Sequence, residues 1–444
     1  MNQSTVISPI SEEAPPRDFL LKRFPKWTLA HWCVVIAAAS FVILAVLPEG
    51  RFNDLDVPTG GENVRVARSL AFHGTFANPF STMNTGTTAH VAPVYPFLYS
   101  LVLRGFGTGY TALLILWAAN VSFLAVQLGL LPLLSHRLHL GVLPGILAAI
   151  LGAFSLYVPI DTRWESFLAG LLLLLAFFFS ERAFRNKRRD EALLAGALWG
   201  LVVLTNPVTV LLLAAWPLVL ISTQRKPERA RAIRLFSVMA GVALLITSLW
   251  ILRNYARFGA FVFVRDNLGL ELSVSNNDCA APSIRENIQS GCHARMHPNP
   301  NAAVAAQVVA SGELAFNRAR LHDSFVWIEA HPSAFWGLTV RRLRLFWFPA
   351  LDRGWEGFAV WSVTLLSFLG LGFVAKENPS LALLLLCAWI FFPLVYYITQ
   401  FEPRYRYPIY WTSLLPAGYA LTEVLWRILG FRRAVEPDPL STSH

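Results

Sequence analysis

The chain has 444 residues, 55% of them hydrophobic and 14% charged, with a formal charge of +10 and a mean hydropathy of +0.49. Soluble domains carry roughly 25% charged residues, so this composition belongs to a membrane protein, and four cysteines exclude a disulfide-built secreted scaffold. In a bilayer the positive charge is read by side of the membrane before any nucleic-acid partner is inferred, and the loops account for it.

A crossing helix needs about 20 apolar residues. The first candidate, 27–47, follows Arg17, Lys22, Arg23 and Lys26, which places the N-terminal segment 1–26 in the cytoplasm. Its apolar run is longer than a signal-peptide core, and Leu47-Pro48-Glu49 is no cleavage site, so it stays in the membrane. Residues 48–109 form a first external loop, and its apolar stretch 93–104 is too short to cross and reads as interfacial.

Further spans are expected at about 110–134, 141–160, 166–180, 191–205, 207–222 and 233–251. Alternating them puts "ERAFRNKRRD" and "TQRKPERARAIR" inside, as the positive-inside rule asks of basic loops, and all five lysines fall on that side. Residues 27–251 then form one transmembrane module, followed by a large external segment over 252–355 and more spans at 356–375, 379–399 and 408–426. The expected architecture is an all-α polytopic membrane protein of about ten transmembrane helices, with both termini cytoplasmic and a polar tail over 427–444. No internal repeat of the kind that marks two-halved transporters is visible.

Within the first loop, "GGENVRVARSLAFHGTF" places Val64, Ala67 and Ala71 at helical spacing, which predicts a short helix lying on the membrane. Glu62 falls in its first turn, where the helix dipole favours a carboxylate, with Arg65 one turn on. In "PIDTRWESF", Asp161 and Glu165 flank the outer start of a span. Two acidic points on one face are suited to a general base with an orienting or metal-binding carboxylate.

Arg253 follows a span in "WILRNYARFGAFVFVRDN", where snorkelling alone explains an arginine equally well. In "FEPRYRYP", Arg404 and Arg406 alternate with tyrosines, a pattern suited to a lipid-linked phosphate because guanidinium binds phosphate bidentately. The other reading is an interfacial anchor in an aromatic belt. His90 precedes "APVYP" and reads as an interfacial histidine packing near tyrosine, or as a substrate contact. Asn206-Pro207 shapes a helix start, and Asp266 and Glu271 are outer-face acceptor-contact candidates.

The stretch "SGELAFNRARLHDSFVWIEAH" reads as a helix capped at Ser311 with Pro332 beyond its end, and "SAFWGLTVRRLRLFWFP" as a helix lying in the interface. Cys279 and Cys292, thirteen residues apart in the external segment, favour a disulfide over a zinc site with His293 and His297. Walker, HExxH and GxSxG signatures are absent.

These stretches together resemble the GT-C superfamily of integral-membrane glycosyltransferases, in particular bacterial relatives of protein O-mannosyltransferases and of the lipid A aminoarabinose transferase. The resemblance runs over 27–426 and rests on "ENVRVARSLAFHGTF", "HVAPVYPFLYSLV", "RWESFLAGLLL", "GLVVLTNP", "WILRNYARFGAFVFVRDN", "EAHPSAFWGLTVRRLRLFW" and "EPRYRYPIY". It implies an enzyme of a bacterial-type inner membrane that moves a sugar from a polyprenyl-phosphate donor to an acceptor hydroxyl at the periplasmic or outer face. Lipid, glycan and protein are all open as acceptors.

In the family the first-loop acidic residue is the catalytic carboxylate, a place Glu62 occupies, although many members carry Asp there in an Asp-Glu pair and this chain has Gly61-Glu62. Glu165 or Asp161 would be the second-loop carboxylate. Arg404 and Arg406, joined by Arg65 or Arg253, would stabilise the leaving phosphate, with His90 and Tyr95 as further substrate contacts. Some members use a divalent metal and others do not. The alternative function is a transporter or flippase for lipid-linked sugars, which would place ionisable residues inside its spans, whereas here the charges gather at span ends.

Overall fold

A computed structural model describes residues 27–47, 61–157, 160–223 and 226–428. The cytoplasmic segment expected over 1–26, the start of the first external loop and the tail from 429 onward lie outside the described residues. Among the described residues the chain is helical, with only isolated bridges pairing Ala77 with Thr87 and Ser283 with Phe401. It is an all-α membrane protein.

Six helices among the described residues are long and apolar enough to cross a bilayer: Leu29–Val46, Tyr110–Arg137, Ser166–Asn186, Lys226–Phe258, Trp355–Glu377 and Pro379–Ile398. The expected count of about ten is therefore corrected. Each of the other four expected spans has a helix, but Val142–Phe154 has 13 residues and Arg189–Val203 has 15. At 1.5 Å per residue these reach about 20 Å, against a hydrocarbon core of about 30 Å. Pro207–Ser222 is likewise short, and Tyr410–Ile428 is buried on nearly every face, so protein rather than lipid sets its polarity.

Lipid is the solvent elsewhere. Along Lys226–Phe258, Leu244, Leu245, Leu249 and Leu252 are exposed on the outside of the bundle, as a membrane-facing flank requires. Inside the bundle, small residues let backbones touch. A Cβ at Gly370 would collide with the Pro416 carbonyl oxygen, and one at Gly418 with that of Pro144, which packs Tyr410–Ile428 tightly between Trp355–Glu377 and Val142–Phe154.

The basic loops tie helix ends together at one side through Arg182 with Glu191 at 2.6 Å and Lys187 with Glu228 at 2.5 Å. The opposite side carries the first loop and the segment after Phe258. In the first loop, helix Glu62–His73 forms as expected, but its Val64 and Ala67 face the neighbouring helix Val94–Phe106 rather than the membrane. That second helix meets them with Tyr95, Tyr99 and Leu103 and turns Phe97, Leu98 and Leu101 outward, so it is the one with an apolar face free for lipid.

The later segment folds into short helices followed by Glu313–Ala330 and Pro332–Trp347. Ser311 ends the preceding helix, Ala302–Ser311, and does not cap the next one. The cap is Gly312, whose φ of 79° suits glycine. Pro332 opens helix Pro332–Trp347 at its first turn, a position that needs no N–H. Cys279 and Cys292 form a disulfide.

Candidate active site

At one end of the bundle lies a cavity of about 330 Å³ with walls from Glu62, Asn63 and His90 in the first loop, Trp164 and Glu165 in the second, Asn206 at the start of a later helix, Arg265, Glu271, His293 and His297 in the segment after Phe258, and Tyr396, Gln400, Arg404 and Tyr405 near the end of the chain. Five segments far apart in sequence thus converge on one polar chamber at the end of the bundle.

Glu62 is the first residue of its helix, with Gly61 extended before it, so the turn that begins the helix delivers the carboxylate into the chamber. Its side chain is 13% exposed. Burial pushes its carboxyl up to about 7, Glu271 adds to the rise, and Arg404 and Arg265 oppose it. The carboxylate faces His297 at 3.9 Å. A proton acceptor near neutral pH is therefore built from an ordinary glutamate by its surroundings.

Gly61 has a packing reason. A Cβ there would come within 3.1 Å of Arg163 Cβ, and Arg163 folds back to pair with Asp161 at 2.6 Å. A side chain at 61 would press on the Arg163 stem, which would have to give by a few tenths of an ångström.

Asn63 links the two carboxylates' supports. Its side-chain amide donates to Glu165 Oε2 at 2.9 Å and to the Arg163 carbonyl at 3.2 Å. Glu165 also starts the span Ser166–Asn186, accepting the Ala169 N–H at 2.8 Å. Arg404 lines the same chamber, its Nε donating to Glu402 at 2.5 Å and its guanidinium lying 3.6 Å over the Trp164 ring. Burial opposes its charge, but Glu402, Tyr405 and Glu165 override that and hold it above the usual arginine value. It is a fixed cation stacked on an aromatic platform.

His90 is buried against Phe80, and burial, helped by Arg265, pushes it down to about 3, so it is neutral. Its segment is held by Glu313, which accepts the Thr88 hydroxyl and, at 2.6 Å, the Ala89 N–H. Burial lifts Glu313 to about 7. Arg265 donates to the His90 carbonyl at 2.9 Å and lines the chamber.

The remaining expected residues lie outside the chamber, each with protein partners. Tyr95 donates to the Thr162 carbonyl at 2.6 Å and accepts from Asn120 at 2.9 Å. Asp161 is paired with Arg163. Arg253 donates to the carbonyls of Thr88 at 2.9 Å and Phe76 at 3.2 Å, fastening the first loop to the span. Arg406 is buried beside Trp347 and Tyr410. Arg65, one turn along the same helix from Glu62, is not among the residues that line the chamber.

Sequence reading passed over Arg265, which lies inside the quoted "FVFVRDN", because a charge in an irregular segment has no period to follow. The donor set does not fit a metal: no three of His, Cys, Asp and Glu gather around one point among the described residues, the two cysteines are bonded to each other, and His293 and His297 stack at 4.7 Å. No step below is routed through one.

No family model matches the chain, and no curated protein does. Among solved structures it is similar to the archaeal oligosaccharyltransferase AglB from Archaeoglobus fulgidus in complex with an inhibitory peptide and a dolichol-phosphate, at 15% identity and a TM-score of 0.56, over 93% of this chain and 53% of that one. The apo form of the Archaeoglobus fulgidus oligosaccharyltransferase gives 14% identity and a TM-score of 0.53, over 90% and 52%. The chain spans about half the length of these structures. What they share is architecture: this chain has the fold of the corresponding half of these oligosaccharyltransferases.

Proposed function

We propose that the protein is a GT-C glycosyltransferase that moves a sugar from a polyprenyl-phosphate donor to an acceptor hydroxyl, with the chamber on the outer face of the membrane. The observation that carries this is a carboxylate poised near neutrality and a fixed arginine that acts on it, both lining one polar chamber. The dolichol-phosphate held by the similar oligosaccharyltransferase supports a lipid-phosphate donor.

Glu62 takes the proton of the acceptor hydroxyl as that oxygen bonds to the anomeric carbon. The bond from that carbon to the phosphate oxygen breaks, and polyprenyl phosphate leaves with the electron pair. Arg404 and Arg265 offer guanidinium N–H groups to the growing phosphate charge, and in a dry chamber such donors act more strongly than in water. Glu165, held by Asn63, orients the acceptor from the side.

The test is transfer of labelled sugar from a panel of polyprenyl-phosphate sugars by protein in lipid, wild type against Glu62→Gln. The expected result is that the variant binds donor and turns over at least about a hundredfold more slowly. Equal consumption by both would remove Glu62 as the base and make Glu165 the candidate.

A further inference from the structure

His297 lines the chamber and has no part in the reaction as written above. It follows the short helix Cys292–Met296, whose start is closed covalently by the disulfide to Cys279. Its Nδ1 accepts the backbone N–H of Asn299 at 3.0 Å. A backbone N–H can only donate, so the proton of the neutral ring is on Nε2. Burial, with His293 and His90 adding to it, holds the ring well below the ordinary histidine value, which keeps it neutral. Nε2–H is therefore a hydrogen-bond donor, and it is the atom that stands 3.9 Å from Glu62 Oε1.

The loop that supplies Glu62 also fixes this turn. Ser81 N donates to Asn299 Oδ1 at 2.8 Å, the Ser81 hydroxyl to the Asn299 carbonyl at 2.6 Å, and the Thr82 hydroxyl to the Pro298 carbonyl at 2.7 Å. Donor and carboxylate are thus set on two segments stitched to each other. The gap exceeds a hydrogen bond by about 1 Å. Catalytic hydrogen bonds are often long before substrate arrives and close in the loaded site.

We propose that His297 is a positioning residue for Glu62: its Nε2–H donates to Oε1 in the loaded site and leaves Oε2 as the oxygen that takes the acceptor proton. The role rests on Glu62 being the base. Besides His297, the charged and titratable groups facing Glu62 are Glu271, Arg265 and Arg404, with His90 and His293 behind the ring and Glu165 alongside Asn63.

The test follows the Glu62 carboxyl by infrared titration in lipid nanodiscs with polyprenyl phosphate bound, so that the site is loaded, and Glu62→Gln identifies its band. His297→Phe keeps the bulk and removes the donor, while His297→Gln restores an N–H. A donor facing a carboxylate favours the charged form, so the midpoint is expected to rise by about one unit in His297→Phe and to return most of the way in His297→Gln. An unmoved midpoint, or a glutamine variant no different from the phenylalanine one, overturns the role. If His297→Phe fails to fold, ¹⁵N-histidine spectra of the wild type decide instead: a protonated Nδ1 on His297 overturns it, and a bare Nδ1 supports it. Neither readout needs turnover. A wild type that consumes no donor overturns the glycosyltransferase reading and this role with it, whereas a missing midpoint shift beside an intact Glu62→Gln defect overturns His297 alone.

Discussion

Arg404 and Arg406 come from one eight-residue motif, "FEPRYRYP", and differ in everything but chemistry. Both sit on the 3₁₀ helix Pro403–Ile409. Three residues per turn puts positions two apart on different faces, so one arginine points to the chamber and the other into the bundle. Arg404 keeps a carboxylate partner, an aromatic platform and an open side toward the cavity. Arg406 is 4% exposed and spends its N–H groups on the Trp347 carbonyl at 3.2 Å, the Thr364 hydroxyl at 2.8 Å and the Ser413 hydroxyl at 3.2 Å. It joins three helices and takes no part in lining the chamber. An arginine's role here is set by helical phase, which the residue type does not reveal.

The comparison breaks most visibly through stability. Arg406→Met leaves two hydroxyls and a carbonyl without their buried partner, and we expect a loss of about 3 kcal/mol or more. Thermal unfolding of the purified protein measures it, and a wild-type transition would show that Arg406 is not a structural joint. Arg404→Gln should melt close to wild type and bind labelled polyprenyl phosphate about 10- to 100-fold more weakly, because a charge-assisted contact is lost without disturbing the bundle. If Arg404→Gln unfolds as readily as Arg406→Met, the two arginines are alike and the division of roles fails.

Much of the fold was legible because its signals are local. Apolar runs located the helices, and "GGENVRVARS" located the first-loop helix and put Glu62 in its first turn. The span count was not, since Val142–Phe154 and Tyr410–Ile428 are apolar for protein neighbours as much as for lipid. The site was legible where a residue's position followed from a helix start, as with Glu62 and Glu165. It was illegible where position depends on long-range stitching. Nothing near His297 in sequence says that Ser81 and Thr82 hold its turn, 218 and 216 residues from the residues they bind. Arg253 shows the same limit: its partners are two carbonyls of the first loop, which periodicity cannot name.

The smallest expected effect tests the electrostatics with opposite signs. Glu62 acts as a base only when deprotonated, so kcat/KM should rise with pH through a limb near 7, the value to which burial lifts its carboxyl. Arg404 pulls that value down and Glu271 pushes it up. Removing the cation makes the carboxylate harder to form, so Arg404→Gln moves the limb to higher pH. Removing the neighbouring acid makes it easier, and Glu271→Gln moves the limb to lower pH. Each shift should be less than about one unit, since the groups act across a chamber rather than in contact. Arg406 is absent from the groups acting on Glu62, so an Arg406→Lys variant that folds should leave the limb where it is. Two limbs moving the same way would mean that altered hydration of the chamber, and not these charges, sets the proton affinity of Glu62.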